Sequence, residues 1–186
     1  MIMKFLPRDE CVSWVKARRP DLAAVCSADG MTSQPGSRSL TMHLSSTTRS
    51  TFYLAKVLVR WIEPFGSCLL WMTEYGIWPS SECPELFRRL RSTYSESRNI
   101  AEAPGHVAES AEKDQLEIFV ALAIQFGWGG YLVSDKGAAW LAIDHDGDVH
   151  VHGKSDWTSE LQEAMDLSIS VEVAPLEQGR QGQVLQ

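Results

Sequence analysis

The sequence predicts an α+β fold: a single domain with a mostly antiparallel sheet and helices packed on one face. Two patterns support this prediction. The order of elements is helix, strand, helix, strand, helix, helix and then a meander of strands. The strands of the meander are joined by short turns that contain Asp and Gly, as hairpins are. With 186 residues, 44% of them hydrophobic, the chain is long enough to bury a core without disulfides.

Four segments have a helical pattern of apolar residues, and their ends carry the residues expected there. Pro20 ends the first helix and Pro64 the second, Pro84 lies in the first turn of the third, and Gly127 follows the fourth. The sequence therefore predicts helices over 8–19, 47–62, 83–94 and 110–126, and a fifth, shorter helix over 156–165.

Strands are predicted from alternation or from short apolar runs. SLTMHLS alternates, whereas CLLWMTEYG is almost continuously apolar and is expected to be a central strand. The predicted strands are 39–45, 68–76, 130–135, 138–144, 148–152 and 168–175. Residues 27–38 are expected to be loop and 95–109 irregular. The domain is predicted over 1–175, with a flexible tail over 176–186.

Composition restricts the class of partner. The formal net charge is −7, and residues 61–186 carry twenty Asp and Glu against eight Lys and Arg. Such a surface suits a basic protein partner and argues against nucleic acid, because phosphate contacts need clustered Lys and Arg. No apolar run has the length of a membrane span, and the four cysteines form no CxxC pair. We expect a cytoplasmic protein with reduced thiols, a protein partner and no cofactor.

The first candidate site is the segment IDHDGDVHVHGK, residues 143–154. Asp148, His150 and His152 occupy alternate positions of a predicted strand, so their side chains share one face. Carboxylates and imidazoles so placed are candidate ligands for a divalent metal. The simpler interpretation is a hairpin whose valines, Val149 and Val151, face the core while the acids and histidines face solvent.

The second candidate site is MTEYGIWPSSE, residues 72–82, where an apolar strand ends in an acid and two aromatics. Glu74, Tyr75 and Trp78 are candidates for an acidic, aromatic surface that holds a protein partner. The alternative is structural. A carboxylate beside a core strand must be paired or protonated, so Glu74 is expected to be partly buried against Arg88 or Arg91.

The sequence offers two candidate catalytic residues, one in the second segment and one outside both segments. Glu74 lies just past a buried strand, and His106 follows the Pro-Gly turn of EAPGHV in a stretch expected to be irregular. Either is a candidate general acid or base for a metal-dependent hydrolase built on the cluster at 144–152. No nucleophile or phosphate-binding motif accompanies them.

Several segments resemble an uncharacterised bacterial family: LLWMTEYGIWPSSE, LFRRLRSTY, EAPGH, FGWGGYLV and IDHDGDVHV. The resemblance covers about residues 67–151 and implies no activity. At the level of composition, a small acidic α+β chain with seven tryptophans is also similar to bacterial immunity proteins. The leading hypothesis is therefore a binding protein, most concretely an immunity- or defence-associated one. The alternative is the metal-dependent hydrolase.

Overall fold

The computed structural model describes residues 3–32, 39–43, 48–75, 84–137, 139–146, 148–152 and 171–173. Its α-helices are α1 (Arg8–Arg18), α2 (Thr48–Trp61), α3 (Pro84–Ser92) and α4 (Lys113–Gln125), with 3-10 turns at Pro20–Leu22 and Ser110–Glu112. Its strands are β1 (Lys4–Leu6), β2 (Cys26–Ser27), β3 (Gly30–Met31), β4 (Ser39–His43), β5 (Ser67–Glu74), β6 (Gly105–Glu109), β7 (Gly129–Ser134), β8 (Trp140–Ile143), β9 (Asp148–His152) and β10 (Val171–Val173).

In the described part of the chain, eight strands form one sheet in the order β1–β6–β5–β7–β8–β9–β4–β10. Every pair of neighbours is antiparallel. The predicted α+β class with an antiparallel sheet is therefore confirmed. The apolar run of β5 is paired on both sides, by β6 and β7, as expected of an inner strand.

The main core lies between one face of the sheet and the helices α2, α3 and α4. Alternate side chains of β5 enter it at Cys68, Leu70 and Met72, all fully buried. Both α2 and α4 bring apolar side chains onto these strands and pack against each other. Burial of these side chains is the main favourable term in the stability of the fold.

The second face of the sheet is also covered, which differs from the prediction of helices on one face only. Trp14 and Val15 of α1 pack against Leu69 and Trp71 of β5, and Trp140 of β8 completes this smaller core. The physical reason is the composition of β5. Because its side chains are apolar in both directions, each face of the strand needs a partner.

Most predicted helices and strands are confirmed within a few residues, and Gly127 adopts the positive φ, 61°, of a residue that follows a helix. Two predictions are wrong. The stretch 95–109 contains β6, and the loop 27–38 begins with the short hairpin β2–β3. Strand β1 was not anticipated, because three residues are too few to show a period.

Some predictions fall outside the described residues, namely the helix over 156–165 and the tail over 176–186. Cys11, Cys26 and Cys68 are free thiols buried in the fold. Among the residues that the structure describes, no helix is both long enough and apolar enough to cross a bilayer.

Candidate functional site

The turn between β8 and β9 is organised by one carboxylate, Asp144. Its Oδ1 accepts hydrogen bonds from the backbone N–H groups of Asp146, at 2.9 Å, and Asp148, at 3.0 Å. Its Oδ2 lies 3.2 Å from Nε2 of His150, on the strand that follows. Asp144 therefore links the end of β8 to Asp146 and to β9, and His145 directly follows Asp144 in the chain.

The second part of the site is Glu74, at the end of β5. A bulge between Met72 and Glu74 shifts the register, so that Glu74 lies opposite Gly129 of β7. Its Oε2 is 2.8 Å from Nδ1 of His145. Gly129 makes room for this carboxylate, because a Cβ at that position would lie 2.5 Å from the same oxygen. The two candidate segments, 72–82 and 143–154, thus meet at Glu74 and His145.

We call the resulting group the carboxylate–histidine surface. It consists of Glu74, Asp144, His145, Asp146 and His150. All five are accessible, with side-chain exposures from 33% for the two histidines to 71% for Asp146. Among the described residues, its three carboxylates form ion pairs with histidines and with no lysine or arginine. Within the part of the chain that the structure describes, the ion-pair partners of these carboxylates are therefore imidazoles.

The electrostatics of the surface favour the charged form of His145. The hydrogen bond that His145 donates to Glu74 raises the pKa of His145 above its ordinary value, and the nearby charges of Asp146, Glu74 and Asp144 act in the same direction. The imidazolium therefore persists to a higher pH than in a free histidine. The arrangement holds and releases a proton next to exposed carboxylates.

Of the predicted metal ligands Asp148, His150 and His152, the two histidines lie in different environments. His150 lies beside Asp144, whereas His152 is 3% exposed and stacks on Trp140, with ring centroids 3.9 Å apart. Burial lowers the pKa of His152 to about 4. Among the described residues, no group of three or more His, Cys, Asp or Glu is arranged to hold a metal ion.

The simpler interpretation of this hairpin is confirmed for the valines and wrong for one histidine. Val149 and Val151 are fully buried in the main core. His152 was expected to face solvent. It instead lies against Trp140, its register partner on β8, because the second face of the sheet also carries an apolar core.

The second predicted acid or base, His106, lies on β6 and not in an irregular loop. Its ring is fully buried among aromatic side chains, with ring centroids 5.2 Å from Phe5, 5.6 Å from Phe87 and 5.0 Å from Phe119. Nδ1 lies 3.0 Å from the carbonyl oxygen of Pro104. Burial, and then the charge of Arg91, lower the pKa of His106 to about 3, so the ring is neutral at physiological pH.

The expected ion pair between Glu74 and an arginine of α3 is wrong. Glu74 has a side-chain exposure of 48%, and its ion pair is with His145. Arg88 instead pairs with Glu85, three positions earlier on the same helix. Arg91 is 1% exposed and donates a hydrogen bond to the carbonyl oxygen of Ala103. The bulge and the pairing of β5 with β7 direct Glu74 toward the β8–β9 turn.

The predicted aromatic partners of Glu74 have different outcomes. Tyr75 is half-buried, packs against the main core and lines a cavity with Phe87 and Trp128. Trp78 lies outside the described residues. The roles of Tyr75 and Trp78 in partner binding stay predictions.

Sequence reasoning missed two residues that the structure makes prominent. His145 was treated as part of a hairpin turn, although a histidine flanked by two aspartates is a signal of a titrating surface. Arg91 was expected as one of two possible ion-pair partners of Glu74. Its position four residues after Phe87 places it on the apolar stripe of α3, which is the signal for its burial.

The fold and the site together define the class of protein. It is an α+β protein whose antiparallel sheet has an apolar core on each face and whose surface carries an exposed group of acids and histidines. No known protein family, curated protein or solved structure matches this chain. The geometry of the described residues is therefore the basis for a functional proposal.

Proposed function

We propose that this chain is a binding protein whose carboxylate–histidine surface holds a basic segment of a protein partner. One observation carries the proposal: Glu74 and His145, which belong to two separately predicted sites, meet in an exposed contact of 2.8 Å. This contact gathers acids from two distant parts of the chain on one accessible surface. An immunity- or defence-associated protein that neutralises a basic partner is the most concrete form of the proposal.

The chemistry of the surface supports a cationic partner. Its carboxylates interact with imidazoles, which are weaker cations than lysine or arginine at neutral pH. A lysine or arginine from a partner can replace an imidazole as the ion-pair partner of Glu74 or Asp146. Since both carboxylates are solvent-exposed, little desolvation opposes the exchange. Exposed charges of this kind act mostly on the rate and selectivity of association.

The aromatic part of the proposal concerns Tyr75 and Trp78. Aromatic side chains next to a charged rim are frequent anchors of protein interfaces, because they bury a large apolar area at a small cost in conformational entropy. Tyr75 directly follows Glu74 and is half-exposed, so it is within reach of a partner that contacts the carboxylate. Trp78 is proposed as the second anchor on its position in the sequence alone.

The test is affinity capture with matched variants. The wild-type protein, the double variant Glu74→Gln with Asp146→Asn, and the control Glu85→Gln are each incubated with lysate of the native host. Glu85 is a suitable control because it is an exposed carboxylate on α3 that does not belong to the carboxylate–histidine surface. A basic protein should be retained by the wild type and the control and lost from the double variant.

The salt dependence and the pattern of retention show which part of the surface binds the partner. Retention should fall as the salt concentration rises, because exposed charge pairs are screened. If all three proteins retain the same set, the carboxylate–histidine surface does not bind a partner. If Trp78→Ala alone abolishes retention, the aromatic anchor carries the binding and the acidic surface does not.

A further inference from the structure

A cavity of about 270 Å³ opens beside α3. Its buried wall is formed by Phe87, Trp128 and Arg91, which are 3%, 2% and 1% exposed. Ile100 and Tyr75 add further apolar surface, and the exposed Arg98 lies at the rim. The volume is near the lower end of the range of small-molecule pockets, about 300–1,000 Å³.

The unusual feature of this cavity is the incomplete hydrogen bonding of the buried Arg91 guanidinium. Its Nη2 donates to the carbonyl oxygen of Ala103 at 2.9 Å. Its Nε and Nη1 are buried, and among the described residues they have no hydrogen-bond partner. The guanidinium lies 4.8 Å from the ring centroid of Phe5 and 5.7 Å from that of Phe87, so aromatic faces surround it. The aromatic rings attract the cation, but they do not accept hydrogen bonds from Nε and Nη1.

The two nearby carboxylates, Glu96 and Glu102, form hydrogen bonds with groups other than Arg91. Glu96 forms two hydrogen bonds with the guanidinium of Arg98, at 2.6 and 3.0 Å. Glu102 accepts a hydrogen bond from the backbone N–H of Asn99. Both raise the pKa of Arg91 by their charge, while burial lowers it to about 10, so Arg91 is still a cation at neutral pH. A buried cation with unpaired donors is costly unless an acceptor joins it.

We propose that this cavity binds a small organic carboxylate with an aromatic or branched apolar body. Arg91 lines the cavity, so its guanidinium attracts the carboxylate, and the apolar body packs against Phe87, Trp128 and Ile100. A monoanion fits better than phosphate, because a single buried guanidinium in apolar surroundings does not offset the desolvation of a dianion. Tyr75, the proposed aromatic anchor for a protein partner, also lines this cavity, but the cavity contains no residue of the carboxylate–histidine surface. The ligand proposal does not depend on the function proposed for that surface.

The probe is 3-phenylpropionate, which joins a carboxylate to an aromatic ring, and binding is measured by isothermal titration calorimetry. Its neutral amide, 3-phenylpropionamide, has the same shape without the charge and is expected to bind at least about tenfold more weakly. Inorganic phosphate is expected not to bind. N-acetylphenylalanine presents the same chemistry as the carboxyl terminus of a peptide, so its affinity relative to 3-phenylpropionate distinguishes a peptide end from a free small molecule.

Three variants test the role of the residues. Arg91→Met should weaken 3-phenylpropionate at least about tenfold. Arg89→Met is the matched control, because Arg89 is an exposed arginine of the same helix that does not line the cavity. Ile100→Trp fills the cavity while Arg91 stays in place, and it should abolish binding even if Arg91→Met proves poorly folded. The denaturation midpoint of each variant is measured alongside.

The proposal is overturned if the wild type binds no carboxylate, if the amide binds as tightly as the acid, or if Arg89→Met weakens binding as much as Arg91→Met.

Discussion

Glu74 Oε2 and His145 Nδ1 lie 2.8 Å apart, although 71 positions of sequence separate the two residues. This contact joins the end of β5 to the turn between β8 and β9. It depends on the bulge at Met72–Glu74 and on the absence of a side chain at Gly129. Two local features of the backbone therefore determine where the acids and histidines of the surface meet.

The first prediction concerns the proton on His145. Because the hydrogen bond that His145 donates to Glu74 raises the pKa of His145, Glu74→Gln should lower that pKa toward the ordinary value of a histidine. The imidazole C–H signals of the wild type and the variant, followed by NMR across the neutral pH range, measure both values. Glu85→Gln is the control and should leave His145 unchanged. Equal pKa values in the wild type and Glu74→Gln would mean that the contact does not persist in solution.

The second prediction concerns stability at the same contact. The contribution of the ion pair to stability is present while His145 is charged and is lost as the pH rises through its raised pKa. Both side chains are solvent-exposed, so the contribution is small. Glu74→Gln should therefore leave the urea denaturation midpoint close to that of the wild type at pH 6 and at pH 9. A large loss of stability would favour the buried ion pair that the sequence suggested.

The third prediction is a pH dependence of binding at the carboxylate–histidine surface. As His145 loses its proton, the surface becomes more negative, and its affinity for a basic partner should rise. A short polylysine peptide serves as the probe, with affinity measured between pH 6 and pH 9 at low salt. His145→Gln should bind the peptide with a weaker dependence on pH. An affinity that falls over this range would contradict the proposal.

The fourth prediction is acid sensitivity of the fold. Burial lowers the pKa of His106 to about 3 and that of His152 to about 4. The unfolded chain therefore binds more protons than the folded one below an ordinary histidine pKa of about 6.5, and stability decreases as the pH falls through this range. At pH 5, the lowered pKa of each histidine should reduce the free energy of unfolding by about 2 kcal/mol.

Urea denaturation at pH 7.5 and pH 5 measures this loss of stability. In His106→Gln, the difference between the two pH values should shrink, even if the variant is less stable at both. His145→Gln is the control, because His145 is exposed and its pKa moves in the opposite direction. A difference that is the same in His106→Gln and the wild type would show that His106 does not resist protonation.

The fifth prediction concerns Asp135, whose side chain forms hydrogen bonds with the backbone at the start of β5. Its carboxylate accepts hydrogen bonds from the backbone N–H groups of Gly66, at 2.8 Å, and Ser67, at 3.0 Å. Asp135→Ala removes both acceptors and should lower the free energy of unfolding by roughly 1–3 kcal/mol. The matched control is Asp146→Ala, at an exposed position of another turn. An equal effect of the two substitutions would mean that the buried N–H groups find other partners.

Local patterns predicted much of the fold. Helix α2 was expected from its apolar stripe and the proline that follows it, and β7, β8 and β9 from their apolar runs and the turns between them. Strand β6 was missed, because GHVAE has neither a strict alternation nor an apolar run. Its identity as a strand depends on pairing with β1 and β5, which are distant in sequence.

The candidate site was likewise predicted only in part. The acids and histidines of 144–152 and the acid at the end of β5 were found from the sequence, because their types and spacing are local properties. The partners of these residues were not. Glu74 was assigned to an arginine of the next helix, which is near in sequence, but the sheet places it against β7 and the β8–β9 turn.

The sequence by itself determined the α+β class, the order of most elements and the residue types at the surface, since periodicity, proline and glycine act over a few residues. Only the tertiary structure decided which side chains are buried and which meet. The burial of Arg91 and His106 arises when α3 and β6 pack on the same core. The contact of Glu74 with His145 requires the register of β5 on β7, because strand pairing, and not proximity along the chain, brings their side chains together.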